Sequence, residues 1–77
     1  MSTRVTRTYQ IRLERHLGPA AAALFPEFDL RHHSDGTSVL TGALPDQAAL
    51  HGALARVRDL GLVLCDVHRV EAPEPHR

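Results

Sequence analysis

The sequence contains no lysine and no tryptophan, a single cysteine, and only three aromatic side chains, Tyr9, Phe25 and Phe28. With Cys65 as the one thiol, no intramolecular disulfide or multi-cysteine zinc site can form, which excludes a small disulfide-stapled scaffold. Net charge is also missing. Nine arginines balance nine acidic residues, so no global field steers the chain toward nucleic acid or an anionic membrane. No apolar run approaches the roughly 20 residues that span a bilayer. Residues 1–8, Met-Ser-Thr-Arg-Val-Thr-Arg-Thr, alternate polar and basic side chains without the apolar stretch of a secretory signal. The expectation is one soluble, cytoplasmic domain that does not engage a membrane.

What is present must fold by burial alone. At 77 residues the chain has room for one domain, and a domain near this size buries only about 60% of its unfolded surface. Self-association is therefore an expected further source of stability, and a homodimer the expected state. Residues 71–77, Glu-Ala-Pro-Glu-Pro-His-Arg, carry two prolines and no large apolar side chain. They cannot offset their ordering entropy and read as a disordered tail. The division is a flexible lead-in over 1–8, a single domain over 9–70 and the tail over 71–77.

Tyr9-Gln10-Ile11-Arg12-Leu13-Glu14 alternates apolar and polar residues, the period of a half-buried strand with Tyr9, Ile11 and Leu13 inward. Gly18-Pro19 ends it. Ala20 to Phe25 follows with high helix propensity, stopped by Pro26 after about two turns and held by packing of Leu24 and Phe25. Phe28 to His32 and Thr37 to Leu44 form two further extended runs around Ser34-Asp35-Gly36. A two-residue Asp-Gly loop would scatter the apolar residues of this hairpin over both faces. A three-residue loop with Gly36 left-handed sets Leu30 opposite Leu40 and Phe28 opposite Gly42, and that register is the one expected.

Asp46 is a suitable N-cap for a helix presenting Leu50, Ala53, Leu54, Val57 and Leu60 at helical spacing, with Gly61 where such a helix ends. Leu62 to Val70 reads as the last strand, apolar on both faces at its start. The order strand, helix, strand, strand, helix, strand is that of a ferredoxin-like βαββαβ two-layer sandwich, class α+β, with antiparallel sheet order 4-1-3-2 and both helices on one side. The other side stays open. It is expected to carry Gln10, Arg12, Glu14 and His16, then Asp29, Arg31 and His33, then Val39 and Thr41.

Six histidines raise a metal or acid–base reading. Their spacing argues against it. His32 and His33 are adjacent in a strand and point to opposite faces, while His16, His51 and His68 sit on separate elements without a ligand motif. Cys65 lies among aliphatics, where a thiol behaves as a small buried hydrophobe, and His68 three residues on falls on the other strand face. Ser34, Ser38, Asp35 and His33 at the hairpin are accounted for by turn chemistry. Arg12, Arg31 and Arg69 could line a basic strip, yet RNA binding on an open sheet also needs exposed aromatics, and all three aromatics belong to the core. No metal, cofactor or catalytic set is assigned.

The run Leu40-Thr41-Gly42-Ala43-Leu44-Pro45-Asp46-Gln47-Ala48-Ala49-Leu50-His51-Gly52, continued by Arg58-Asp59-Leu60-Gly61-Leu62, resembles a group of short uncharacterised proteins from high-GC bacteria. No activity attaches to that group, so the resemblance implies topology and transfers no functional residue. Within it, Asp46 caps, Leu50 packs, Gly42 permits close helix approach and Gly61 terminates. Gln47 and His51 have no such structural duty. Four residues apart, they share a helix face and can meet a ligand or partner. The element order also resembles ACT-type regulatory domains and dimeric ferredoxin-like monooxygenases, an analogy of fold alone.

The expected function is a non-enzymatic interaction or regulatory module that dimerises through its open sheet face or a strand edge, with a small-molecule site at the seam or a protein partner. The candidate contact residues are Arg12, Arg31, His33, Val39 and Thr41 on the open face and Gln47 and His51 on the second helix. The alternatives are a small dimeric enzyme using His16, His33 or His51 as acid or base, and a metal- or RNA-binding protein.

Overall fold

The computed structural model describes residues 7–70; of the expected lead-in over 1–8, residues 1–6 lie outside the described residues, as does the tail over 71–77, while Arg7 and Thr8 belong to a strand. The elements are β1 (Arg7–Leu13), α1 (Pro19–Ala22), β2 (Asp29–His32), β3 (Ser38–Leu44), α2 (Gln47–Asp59) and β4 (Leu64–Val70). They form an α+β two-layer arrangement on one antiparallel sheet ordered β2-β3-β1-β4. This is the expected 4-1-3-2 order read from the other edge. No helix among the described residues is long and apolar enough to cross a membrane.

β1 alternates as its sequence demands, and Tyr9, Ile11 and Leu13 are buried beside Leu40 and Leu44 of β3. β1 starts two residues earlier than the Tyr9 of the alternation, at Arg7. From α2, Leu50, Ala53 and Val57 close the core. The Asp46 carboxylate accepts the Ala49 N–H at 2.9 Å, the expected N-cap. At the other end Leu62 N–H donates to the Val57 carbonyl and closes the helix. Leu60, expected on the packed face, is 40% exposed because it sits past the last helical residue, at the C-cap.

The hairpin takes the three-residue loop. Leu30 pairs with Leu40 and His32 with Ser38, Gly36 has φ +93°, and His33 N–H donates to the Thr37 carbonyl at 2.8 Å. Glycine is needed there because a Cβ disfavours that conformation. Gly42 is required for space, although by a loop and not by a helix as expected. A Cβ on it would lie 2.7 Å from the Glu27 carbonyl oxygen and 2.8 Å from the Phe28 ring.

The first helix departs most from expectation. It has a single turn, and the chain leaves it by tight bonds from Leu24 N–H to Ala21 and from Phe25 N–H to Ala22, each 3.0 Å. Those bonds rotate Leu24 outward, to 46% exposure, and Phe25 inward, to 1%. Phe25 alone anchors the segment, with Phe28 packed edge-on at 6.2 Å. Arg56 of α2 completes the attachment. Its guanidinium lies 5.2 Å over the Phe25 ring, donates to the Leu24 carbonyl, and pairs with Glu27 at 2.7 Å.

Ser38 also holds more than a turn. Fully buried, its hydroxyl donates to the Arg15 carbonyl at 2.7 Å and accepts the Leu17 N–H at 3.1 Å. One side chain thus satisfies the backbone of the β1–α1 connection from inside the sheet. Ser38→Ala would leave both groups without that partner, and a loss of about 1–3 kcal/mol is expected by urea denaturation. Gly42→Ala, which forces backbone apart, should cost a similar ~1–3 kcal/mol in the same assay.

Hydrogen bonding from Arg56 holds the Glu27 carboxyl below its ordinary range, with the Arg56 charge adding and burial opposing. A depressed folded-state pKa stabilises above the unfolded value near about 4.3 and loses that contribution as pH falls through the folded value. Glu27→Gln should therefore be less stable than the parent at neutral pH, by up to about 1 kcal/mol for so exposed a pair. The difference should close in acid, read from urea midpoints across pH.

Candidate functional site

The face of the sheet away from α2 is set by the register. Gln10 and Arg12 of β1 stand opposite Thr41 and Val39 of β3, and these stand opposite Asp29 and Arg31 of β2. Gln10, Asp29, Arg31, His33, Val39 and Thr41 surround a shallow hollow of about 280 Å³. Four of the five open-face candidates, Arg31, His33, Val39 and Thr41, are thus brought together, joined by Gln10 and Asp29.

Their availability differs. Val39 is only 5% exposed, covered by its polar neighbours, and forms the floor of the hollow without presenting an apolar contact. The side chains of Arg31 and Thr41 make no hydrogen bond or ion pair among the described residues. Arg12 stands beside the hollow and is engaged: it donates to the Thr37 hydroxyl at 3.2 Å and lies 3.8 Å from Asp35 and 3.9 Å from Asp66. Asp35 accepts the Thr37 hydroxyl at 2.7 Å and its N–H at 3.0 Å. Those bonds hold its carboxyl below the usual range, with Arg12 and His33 charges adding.

His16, expected on this face, lies elsewhere. β1 ends at Leu13, and the chain turns so that the His16 ring stacks at 4.4 Å on His32. His32 is in register with core-facing Ser38, on the helix side. The His16 ring bonds the His33 carbonyl at 2.9 Å and the His32 ring the Leu17 carbonyl at 3.1 Å. Arg69, in register with core-facing Tyr9, is likewise on the helix side and leaves no three-arginine strip.

Gln47 and His51 do not meet the hollow. The Gln47 amide donates to the Tyr9 hydroxyl at 2.7 Å, beside a smaller recess of about 110 Å³ lined by Arg7, Tyr9 and Asp46. His51 is exposed one turn on. The three histidines of the enzyme alternative therefore occupy three separate places: a ring stack, the rim of the hollow and a helix surface.

Sequence reasoning missed the exposed aliphatics at the start of β4. Among the described residues this strand pairs only with β1, at the sheet edge the expected order gives it, and all of it but Val67 and Val70 is exposed. Cys65, expected buried, is exposed, at the register shift that falls between its neighbours Leu64 and Asp66. Next to it Leu60, Val63 and Leu64 are 40%, 53% and 44% exposed, three of the four large apolar side chains exposed among the described residues. The paired runs of aliphatic residues were visible, but the side of the strand that stays wet depends on where α2 lies.

Fold and surface together define a small α+β domain with an open polar sheet face and, among the described residues, β2 and β4 as its edge strands. Residues 8–68, from the second residue of β1 into β4, match a family described as Domain of unknown function (DUF8691), and the chain belongs to that family. No match was found among curated proteins or among solved structures.

Because the Arg31 side chain has no hydrogen-bond or ion-pair partner among the described residues, Arg31→Gln should leave stability within about 0.5 kcal/mol of the parent. Arg12→Ala, which unties the hairpin turn and β4, should cost up to about 1 kcal/mol. Urea midpoints of the two variants check the distinction; equal losses would show that the free and engaged arginines are not distinct.

Proposed function

We propose that this domain is a non-enzymatic interaction module, a ferredoxin-like sandwich that pairs with a second copy of itself through the outer edge of β4. The observation that carries the reading is the seven-residue β4 at the sheet edge with Leu60, Val63 and Leu64 exposed beside it. A strand edge offers a row of unpaired N–H and C=O groups, and exposed aliphatic side chains near it add burial when another strand docks there. β2, at the other edge, spans only four residues and is a weaker template. The open face supports the edge reading over the face reading, since its one large aliphatic side chain from β3, Val39, is already covered.

A second reading rests on the hollow. Arg31, with Thr41, Gln10 and the Asp29 carboxylate around a Val39 floor, offers a cation, an anion and neutral polar groups to a small polar molecule.

Sedimentation velocity over a concentration series tests the first reading. The parent should shift toward dimer as concentration rises, and Leu64→Glu, at a position already exposed, should stay folded and monomeric. A parent that is monomeric throughout would overturn self-pairing. Native mass spectrometry of the untagged protein tests the second reading, which requires retained extra mass that Arg31→Gln abolishes.

A further inference from the structure

We propose that the two-fold axis of this self-pairing passes through Val67, so that Asp66 of each copy meets His68 of the other. The inference rests on the proposed pairing of β4 with its own copy and specifies its register.

Two identical edge strands related by a two-fold axis run antiparallel, with the axis perpendicular to the sheet. Directly opposed residues in an antiparallel pair share a face. The axis also preserves faces, so it must pass through a residue and not between two. The regular part of β4 runs from Asp66 to Val70, matched one-to-one with Arg12 to Thr8 of β1, and the register shift lies just before it. The choice of centre therefore falls among a few residues.

Centring on Asp66 sets two carboxylates directly opposite one another, which is repulsive. Centring on His68 sets Asp66 against Val70 and Val67 against Arg69. Centring on Arg69 opposes two guanidinium groups. Centring on Val67 alone opposes Asp66 to His68 on both sides of the axis and Val67 to Val67 upon it.

The faces agree with this register. Asp66 and His68 are matched with Arg12 and Gln10, on the open side, while Val67 is matched with Ile11, on the helix side. Within one copy the His68 Nδ1 already lies 3.1 Å from one Asp66 oxygen, and Arg12 is 3.9 Å from the other. The remaining ring nitrogen, Nε2, is the one a partner's carboxylate would meet. Both side chains are more than half exposed, at 53% and 56%, so the pairing needs no unfolding to form. On the opposite side the two Val67 side chains, each half-buried at the margin of its own core, come together across the axis. The two helix layers fall on the same side of one continuous sheet whose outer edges are the short β2 strands. The shift at Cys65 limits the seam, since an irregular edge ends ladder pairing.

Single-cysteine variants in a Cys65→Ser background locate the axis. Under mild copper–phenanthroline oxidation, Val67→Cys should cross-link to itself. Asp66→Cys and His68→Cys should each stay uncross-linked alone and form a mixed disulfide when combined, because bridged Cα atoms must lie within about 7 Å. As a readout free of thiols, Asp66→His should weaken dimerisation by about two- to tenfold, and Asp66→His with His68→Asp should restore it by recreating the same opposed pairs. A dimer that persists in the Cys65→Ser protein but cross-links best through position 66 or 68 alone would overturn the register and leave self-pairing intact. Absence of any dimer in that protein by sedimentation would overturn both.

Discussion

Pairing on both sides of β1 is the constraint from which the other placements follow. Its Ile11 and Leu13 are wholly buried, its inward face supplies the floor of the core, and its two edges are taken by β3 and β4. A strand with both ladders satisfied and one face covered has no freedom of register, because a slip of one residue would exchange Ile11 for the polar Gln10 or Arg12. The hairpin then docks through β3, α2 folds over β1 and β3, and β4 has only the remaining edge of β1 to occupy.

That arrangement explains why cover is uneven. The side chains that α2 buries, Leu50, Ala53 and Val57, belong to the same cluster as Leu40 and Leu44 of β3. The β1–α1 connection is tied from within by Ser38, and the segment after α1 is tied from outside by Arg56, through a ring face, a carbonyl and a carboxylate. Both ties lie toward the β2–β3 side of the sheet. Among the described residues no such tie reaches β4, and Leu60, Val63 and Leu64 remain exposed. In so small a domain exposed aliphatic surface carries a stability cost.

Much of the architecture was legible because it is written in local patterns. The alternation from Tyr9 to Leu13, the Asp46 cap, and the hairpin register deduced from Leu30, Leu40 and Gly36 each depend on residues close in sequence or on one repeated period. The open-face set was readable for the same reason, since Arg31, Val39 and Thr41 follow from register once the hairpin is fixed. Legibility failed where neighbours distant in sequence decide. Leu24 and Phe25 are adjacent and both apolar, yet one is out and the other in, because the exit from α1 is tighter than a helical continuation. His16 leaves the strand and stacks on His32, a contact between segments that no periodicity links. Gln47, free to serve a partner on sequence grounds, is held by the Tyr9 hydroxyl.

The sequence by itself determined the element order, the class, the sheet order and which side chains of β1, β3 and α2 face inward, since period and turn chemistry act over a few residues. Only the tertiary structure decided which apolar residues stay exposed, Leu60, Val63 and Leu64 near β4 among them, and that Ser38 and Arg56 act as internal ties. Burial is a property of what packs over a residue, and that cover comes from segments tens of residues away whose reach the chain's local pattern does not encode.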